Sequence, residues 1–216
     1  MSLLVLISPS IPGVHVLVEC PTGTGKTLAI LCSVMAWMTQ RLGAAGHGAK
    51  RRRPGPVKLY YAARTHGQAK QVMRELNRTE YVSSLGVSAV ILGGRKRLCA
   101  MEPVRDCNQV DAACRTLVRV ARKAEANGLP MAPPPSGGYD PKKYDCSVGC
   151  KYYHGERIEK AKAQAWQSPR CLDMEDMTAL CGASTTCPYY VSKAMAKDPR
   201  VEVVILPTCE CCDSPG

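Results

Sequence analysis

Apolar and polar positions divide the chain into short β-like runs separated by helical stretches. Residues 14–19, VHVLVE, form a β-branched run that predicts a strand. After a glycine-bearing turn, KTLAILCSVMAWM over residues 26–38 repeats its apolar positions every three to four residues, the period of a helix. A second run, VKLYYAA at 57–63, predicts another strand, and THGQAKQVMRELNR predicts a helix beginning at Thr65. SAVILGG at 88–94 and VEVVILP at 201–207 are the third and fourth runs. Strands alternating with helices predict an α/β fold with a parallel sheet.

Two stretches interrupt this order. Residues 41–56, RLGAAGHGAKRRRPGP, are glycine-rich, basic and aperiodic, and are expected to form a mobile loop. Its KRRR reads either as a solvated charge run or as a phosphate or nuclear-import patch. Between the third and fourth runs lies a long cysteine-bearing region with the breaker cluster GLPMAPPPSGGYDP at 128–141. That region is expected to be an inserted subdomain rather than part of the sheet.

Composition narrows the setting. A formal charge of +11 and a pI near 9.1 favour an anionic partner, of which nucleic acid is the commonest for a basic chain. Thirteen cysteines suit either a secreted disulfide scaffold or an intracellular metal protein. The opening MSLLVLISPSIPG has no basic residue before its apolar run, and Pro9 and Pro12 interrupt it, so it is a poor signal peptide. No apolar stretch approaches the roughly 20 residues that span a bilayer. The expectation is an intracellular protein, away from membranes, whose cysteines bind metal or stay reduced.

VECPTGTGKT at 18–27 carries the parts of a phosphate cradle. Gly23 and Gly25 allow a tight turn whose backbone N–H groups point at phosphate oxygens at the start of the following helix. Lys26 reaches the β- and γ-phosphates, and the Thr27 hydroxyl ligates Mg²⁺. The strict pattern places a glycine where this chain has Cys20, so the match is to a looser, helicase-type version. Hydrolysis also needs a carboxylate at the end of another strand to hold Mg²⁺ and order water. No Asp-Glu pair follows any of the four runs; after VEVVILP come Thr208, Cys209, Glu210, Cys211, Cys212 and Asp213.

Cys99, Cys114, Cys150 and Cys187 lie in suggestive settings, and thiolates are soft ligands for zinc or an iron–sulfur cluster. Ligands gathered over long separations can fold a core-poor insert around a metal. Cys107, Cys146, Cys171 and Cys181 compete with them, and spacing alone does not choose. The other reading is that these are buried or free thiols. Tyr152, Tyr153, Tyr189 and Tyr190 offer stacking faces for bases or, as we favour for most of them, pack the cysteine region.

In this order the chain resembles the iron–sulfur superfamily 2 DNA helicases, the group of the XPD, Fanconi anaemia group J and telomere-length-regulating helicases. VECPTGTGKTLAILCSVMAW looks like motif I and YYAARTHGQAKQVMREL like motif Ia. GGRKRLC looks like the entry to the cluster domain, CKYYHG its third ligand, and LDMEDMTAL with CPYYVSKAM its exit. The resemblance implies an incomplete RecA-like P-loop motor domain with an inserted, mainly helical [4Fe–4S] domain. It further implies an ATP-driven helicase running 5′ to 3′ on single-stranded or forked DNA, working in the nucleus in DNA repair or a related pathway.

Carried over, Thr22, Gly23, Thr24, Gly25, Lys26 and Thr27 would take ATP and Mg²⁺. Cys99, Cys114, Cys150 and Cys187 would ligate the cluster, with Cys107 the alternative second ligand. Arg64, Thr65 and His66 would contact DNA, and Arg95 or Lys96 would face DNA or sit beside the cluster. The implied layout is a non-matching segment at 1–13, motor-domain sequence at 14–98, the cluster domain at 99–187, a return to the motor domain at 188–207 and a divergent tail at 208–216. The family's adenine-reading motif, Asp-Glu-Ala-His box and second motor domain are not found in these residues, so a fragment without independent turnover is expected. The alternative is a non-enzymatic, metal-stabilised nucleic-acid-binding module; a small P-loop kinase is a weaker third reading.

Overall fold

The computed structural model describes residues 2–7, 15–20, 25–43, 57–128 and 149–207. Thr22, Gly23, Thr24, most of the basic loop, the proline-rich cluster beyond Gly128, Cys146 and the tail from Thr208 lie outside the described residues. The chain divides into two compact units, Met1–Arg53 and Pro54–Gly216.

In the first unit β1 (Ser2–Ile7) and β2 (His15–Cys20) pair antiparallel, with Leu4 opposite Val18. β2 is the strand expected before the phosphate loop, displaced by one residue. Its described partner is the apolar run at the N-terminus, for which the sequence pattern predicts no strand. Helix α1 (Lys26–Gly43) follows, and Leu31, Met35 and Met38 lie buried along it at helical spacing.

The second unit is built on a three-stranded parallel sheet in the order β3-β5-β4, from β3 (Leu59–Ala63), β4 (Ala89–Ile91) and β5 (Val203–Pro207). Leu59 and Ala89 both pair with Val203, so the strands start level with one another. Central β5 is apolar throughout because both of its faces are covered; Val203, Val204 and Ile205 are fully buried.

The crossover from β3 to β4 runs through α2 (His66–Asn77) and the single turn α3 (Glu80–Ser83). Ala69, Val72, Met73 and Leu76 form the buried stripe of α2, which packs on all three strands. The return from β4 to β5 takes more than a hundred residues. It includes the short turns α4 (Arg95–Leu98) and α5 (Glu102–Arg105), then α6 (Val110–Ala126), α7 (Gly155–Trp166), α8 (Met174–Ala183) and α9 (Pro188–Lys197).

The apolar core runs from Val90 and Val204 of the sheet into these helices. It takes in Leu117 and Val118 of α6, Ala161 of α7, Met177 of α8, and Val191 and Met195 of α9. α8 begins at a capping box in which Asp173 and Asp176 satisfy one another's backbone donors. Lys58 donates to the carbonyls of Ala196 and Asp198, closing the end of α9 against the start of β3. Among the described residues no helix is long and apolar enough to cross a membrane.

Candidate functional site

The described part of the phosphate loop is its last glycine and the helix start. Gly25 has φ +73°, in the left-handed region where a side chain is strained. Its carbonyl accepts the first helical hydrogen bond, from Ala29 N at 3.0 Å. Lys26 and Thr27 stand in the first turn of an 18-residue helix with no acidic residue there. An N-terminus of this kind carries partial positive charge and suits an anion.

In the second unit the ends of β3 and β4 lie on one edge of the sheet because the strands are parallel. Arg64, Thr65 and His66 follow directly from β3, and Gly93, Gly94 and Arg95 follow from β4. In open parallel sheets this carboxyl edge is where ligands bind. Thr65 is the N-cap of α2, its hydroxyl accepting from Gln68 N at 3.2 Å. The Gln68 side-chain oxygen in turn accepts from Arg64 N at 3.1 Å, leaving Arg64 and Thr65 exposed on a braced turn. The sequence reading does not single out Gln68, although the Thr-x-x-Gln spacing of the capping-box pattern is a signal that points to it.

Arg95 is placed differently. Its side chain is only 11% exposed, ion-paired with Asp111, with the guanidinium 4.5 Å above the Tyr189 ring. It also hydrogen-bonds Tyr190. Asp111 left no signal in the sequence, because its role depends on where α6 lies.

Four of the cysteines stand together. Cys99 ends α4 and donates weakly to Met101 O at 3.5 Å. Cys114 belongs to the buried stripe of α6 and is hydrogen-bonded by Tyr190 and Arg95. Cys150 N donates to Leu117 O at 3.2 Å, and Cys187 N, at the head of α9, donates to Tyr152 O at 2.9 Å. Burial raises all four thiols above the ordinary range, Cys99 to about 12 and Cys150 to about 11. Mutual charge repulsion adds to this: Cys187 feels Cys150, Cys114 and Cys99, and Cys99 feels Cys114 and Cys150.

Cys171 is buried elsewhere, accepting from Ala89 N, and Cys181 is raised by burial alone. Cys107 packs beside the core as a half-buried thiol. Among the described residues no three His, Cys, Asp or Glu side chains form a group that could hold a single metal ion.

The tyrosines pack around the four thiols. Tyr190 meets Tyr153 edge to face at 4.8 Å and Tyr189 at 5.1 Å. Arg122 Nε donates to the Tyr153 hydroxyl at 2.8 Å. Tyr152 carries Lys151 over its ring at 5.0 Å.

A family model described as DEAD_2 matches residues 61–210. The chain belongs to the DEAD_2 family. The DEAD_2 match begins in β3 and takes in the Arg64–Thr65–His66 turn, the four grouped cysteines and β5. Similar proteins include the regulator of telomere elongation helicase 1 homologs of Caenorhabditis elegans, 31% identical over 208 residues, and Caenorhabditis briggsae, 30% identical over 209. Both alignments cover 88% of this chain and 18% of the relative. The homolog of Arabidopsis thaliana is 29% identical over 217 residues, covering 89% of this chain and 18% of its own length. The chain thus falls in the XPD-like, telomere-length-regulating helicase group of DEAD_2 proteins, and spans about a fifth of the length of these relatives.

Proposed function

We propose that this chain carries the nucleotide-binding and cysteine-ligand portions of an ATP-dependent DNA helicase. The observation that carries the proposal is the grouping of Cys99, Cys114, Cys150 and Cys187 within electrostatic reach of one another. Four soft thiol donors within electrostatic reach of one another suit a [4Fe–4S] cluster. Such a cluster supplies the positive charge that keeps thiolates deprotonated where burial alone favours thiols.

In this reading Cys114, not Cys107, is the second ligand. Residues 99–187 form the cluster domain, which acts as a staple between α4, α6 and α9 and shapes a wedge for the strand. Thr22 to Thr27 hold ATP and Mg²⁺. Arg64, Thr65 and His66 face DNA, while Arg95, held against Asp111 and Tyr189, supports the cysteine group.

Anaerobic purification of the 216-residue chain tests this. About four irons per chain with a broad visible absorption band are expected, lost in C114S and retained in C107S. A colourless protein with one zinc per chain would overturn the helicase reading in favour of a metal-stabilised nucleic-acid-binding module. These 216 residues contain no Asp-Glu-Ala-His box, so they are expected to bind Mg-nucleotide with little DNA-stimulated hydrolysis; robust turnover would contradict that. Polarity from 5′ to 3′ and nuclear residence are tested on the full-length gene product, by strand displacement and imaging.

A further inference from the structure

The opposite edge of the sheet, where the strands begin, holds a cavity of about 480 Å³. Val87, Ser88 and Ala89 at the entrance to β4 form one wall, and Ala165 and Trp166 at the end of α7 another. Met177 and Met195 supply flexible apolar surface that adapts to an occupant's shape. The volume falls within the range of ligand pockets, about 300–1,000 Å³.

The walls are braced. Asn77 holds the backbone of Cys171 from both sides, donating to its carbonyl at 2.8 Å and accepting from its N–H at 2.9 Å. The Cys171 sulfur accepts from Ala89 N at 3.2 Å. Ser168 Oγ donates to Arg170 O at 2.8 Å, which closes the turn between α7 and α8. The cavity is therefore preformed, and binding need not order its walls.

Charge at the rim is specific. Arg170 and Arg200 both line the cavity, with side chains 55% and 61% exposed. Each is oriented by one carboxylate: Arg170 Nη2 lies 2.9 Å from Asp176, and Arg200 grips Asp198 through Nε and Nη2. The Arg200 guanidinium lies 4.3 Å above the Trp166 ring. The Trp166 Nε1 is buried with no acceptor in the described chain. Leu85, adjacent in sequence to the wall residue Gly86, is an exposed large apolar side chain.

We propose that this cavity docks a peptide segment of a partner protein that presents one large apolar or aromatic side chain flanked by carboxylates. The apolar walls take the anchor, and Arg170, more than half exposed and paired with Asp176 through Nη2, recognises an acidic flank, while Arg200 stays gripped by Asp198. Nucleic acid fits less well. The Arg64–Thr65–His66 turn lies at the far end of five-residue strands, about 16 Å away at ~3.3 Å per residue. A partner seated here would leave that turn open to DNA.

The test is to pan a random phage-displayed peptide library against the 216-residue chain and measure the selected peptides by fluorescence anisotropy. Two variants probe the site: R170E, at an exposed side chain, and A165W, which fills the cavity, each checked for folding by circular dichroism. The expected peptides carry an aromatic residue or leucine beside Asp or Glu, and lose about tenfold or more in affinity on R170E. They also fail on folded A165W and are not displaced by oligothymidylate. The proposal is overturned by selection of no binder, by selection of basic peptides, by equal binding to wild type and R170E, or by displacement with oligothymidylate. None of these readouts requires nucleotide or a cluster, so they stand apart from the helicase reading.

Discussion

Gly149, next to Cys150, is expected to be intolerant of even one added carbon. A Cβ at this position would lie 2.8 Å from both Cα and N of Ala121 and 3.0 Å from its Cβ. Ala121 is fully buried in α6, so the obstacle is helix backbone rather than a side chain that can swing aside. Ordinary contact begins near 3.4 Å, so the segment must retreat from α6 by roughly 0.6 Å, a shift that packed interiors resist. The Cys150 N–H bond to Leu117 O lies on the same helix face and would stretch with it.

Overpacking of this kind costs about 1–3 kcal/mol. At ~2–4 °C per kcal/mol for a chain of this size, G149A should melt roughly 2–12 °C below wild type. Gly182 in α8 is the control, with nothing within 4 Å of an added Cβ, so G182A should gain up to ~1 kcal/mol from helix propensity. Thermal melts by circular dichroism distinguish the two, and iron content per chain reports whether Cys150 keeps its place. G149A melting at or above wild type would refute the close approach of this segment to α6.

Three further outcomes are expected. N77A should lose about 1–3 kcal/mol, because two backbone groups of Cys171 are left without their partner, and amide exchange should accelerate at residues 168–172. T65A should cost about 0.5–2 kcal/mol through loss of the α2 cap, seen as a lower denaturant midpoint. The hydrogen bonds from Arg200 hold the Asp198 carboxyl well below the usual carboxylate range, with Lys162 adding to the effect. A depressed folded-state value stabilises the protein above the unfolded pKa near ~3.9, and this contribution is lost as pH falls further. In acid titrations followed by circular dichroism, D198N should therefore resemble wild type more closely below pH ~4 than at neutrality.

Much of the α/β frame was readable because its signals are local. The runs at 57–63, 88–94 and 201–207 became β3, β4 and β5, trimmed at their ends, and Thr65 became the N-cap of α2. Strand order was not readable: nothing local tells β5, the last strand in the chain, that it lies between β3 and β4. The partner of β2 was equally hidden, since an apolar run at the N-terminus does not announce what it pairs with. Arg95 shows the same limit within the site. The resemblance left it open whether Arg95 faces DNA or sits beside the cysteines; Asp111 and Tyr189, 16 and 94 residues later, hold its side chain.

The sequence by itself determined the glycine turn leading into a helix at Gly25, Lys26 and Thr27, the alternation of strands and helices, and the presence of more cysteines than one four-thiol site requires. Those features depend on residue type and on spacing over a few positions. The tertiary structure decided that Cys99, Cys114, Cys150 and Cys187, spread over 89 residues of sequence, come within electrostatic reach of one another. It also decided that the Arg95 side chain is held against Asp111 and Tyr189 and that a braced cavity opens at the edge of the sheet away from the Arg64 turn. Each is a contact between residues far apart in the chain, set by how α6 and α9 pack with β4, and no local pattern encodes that packing.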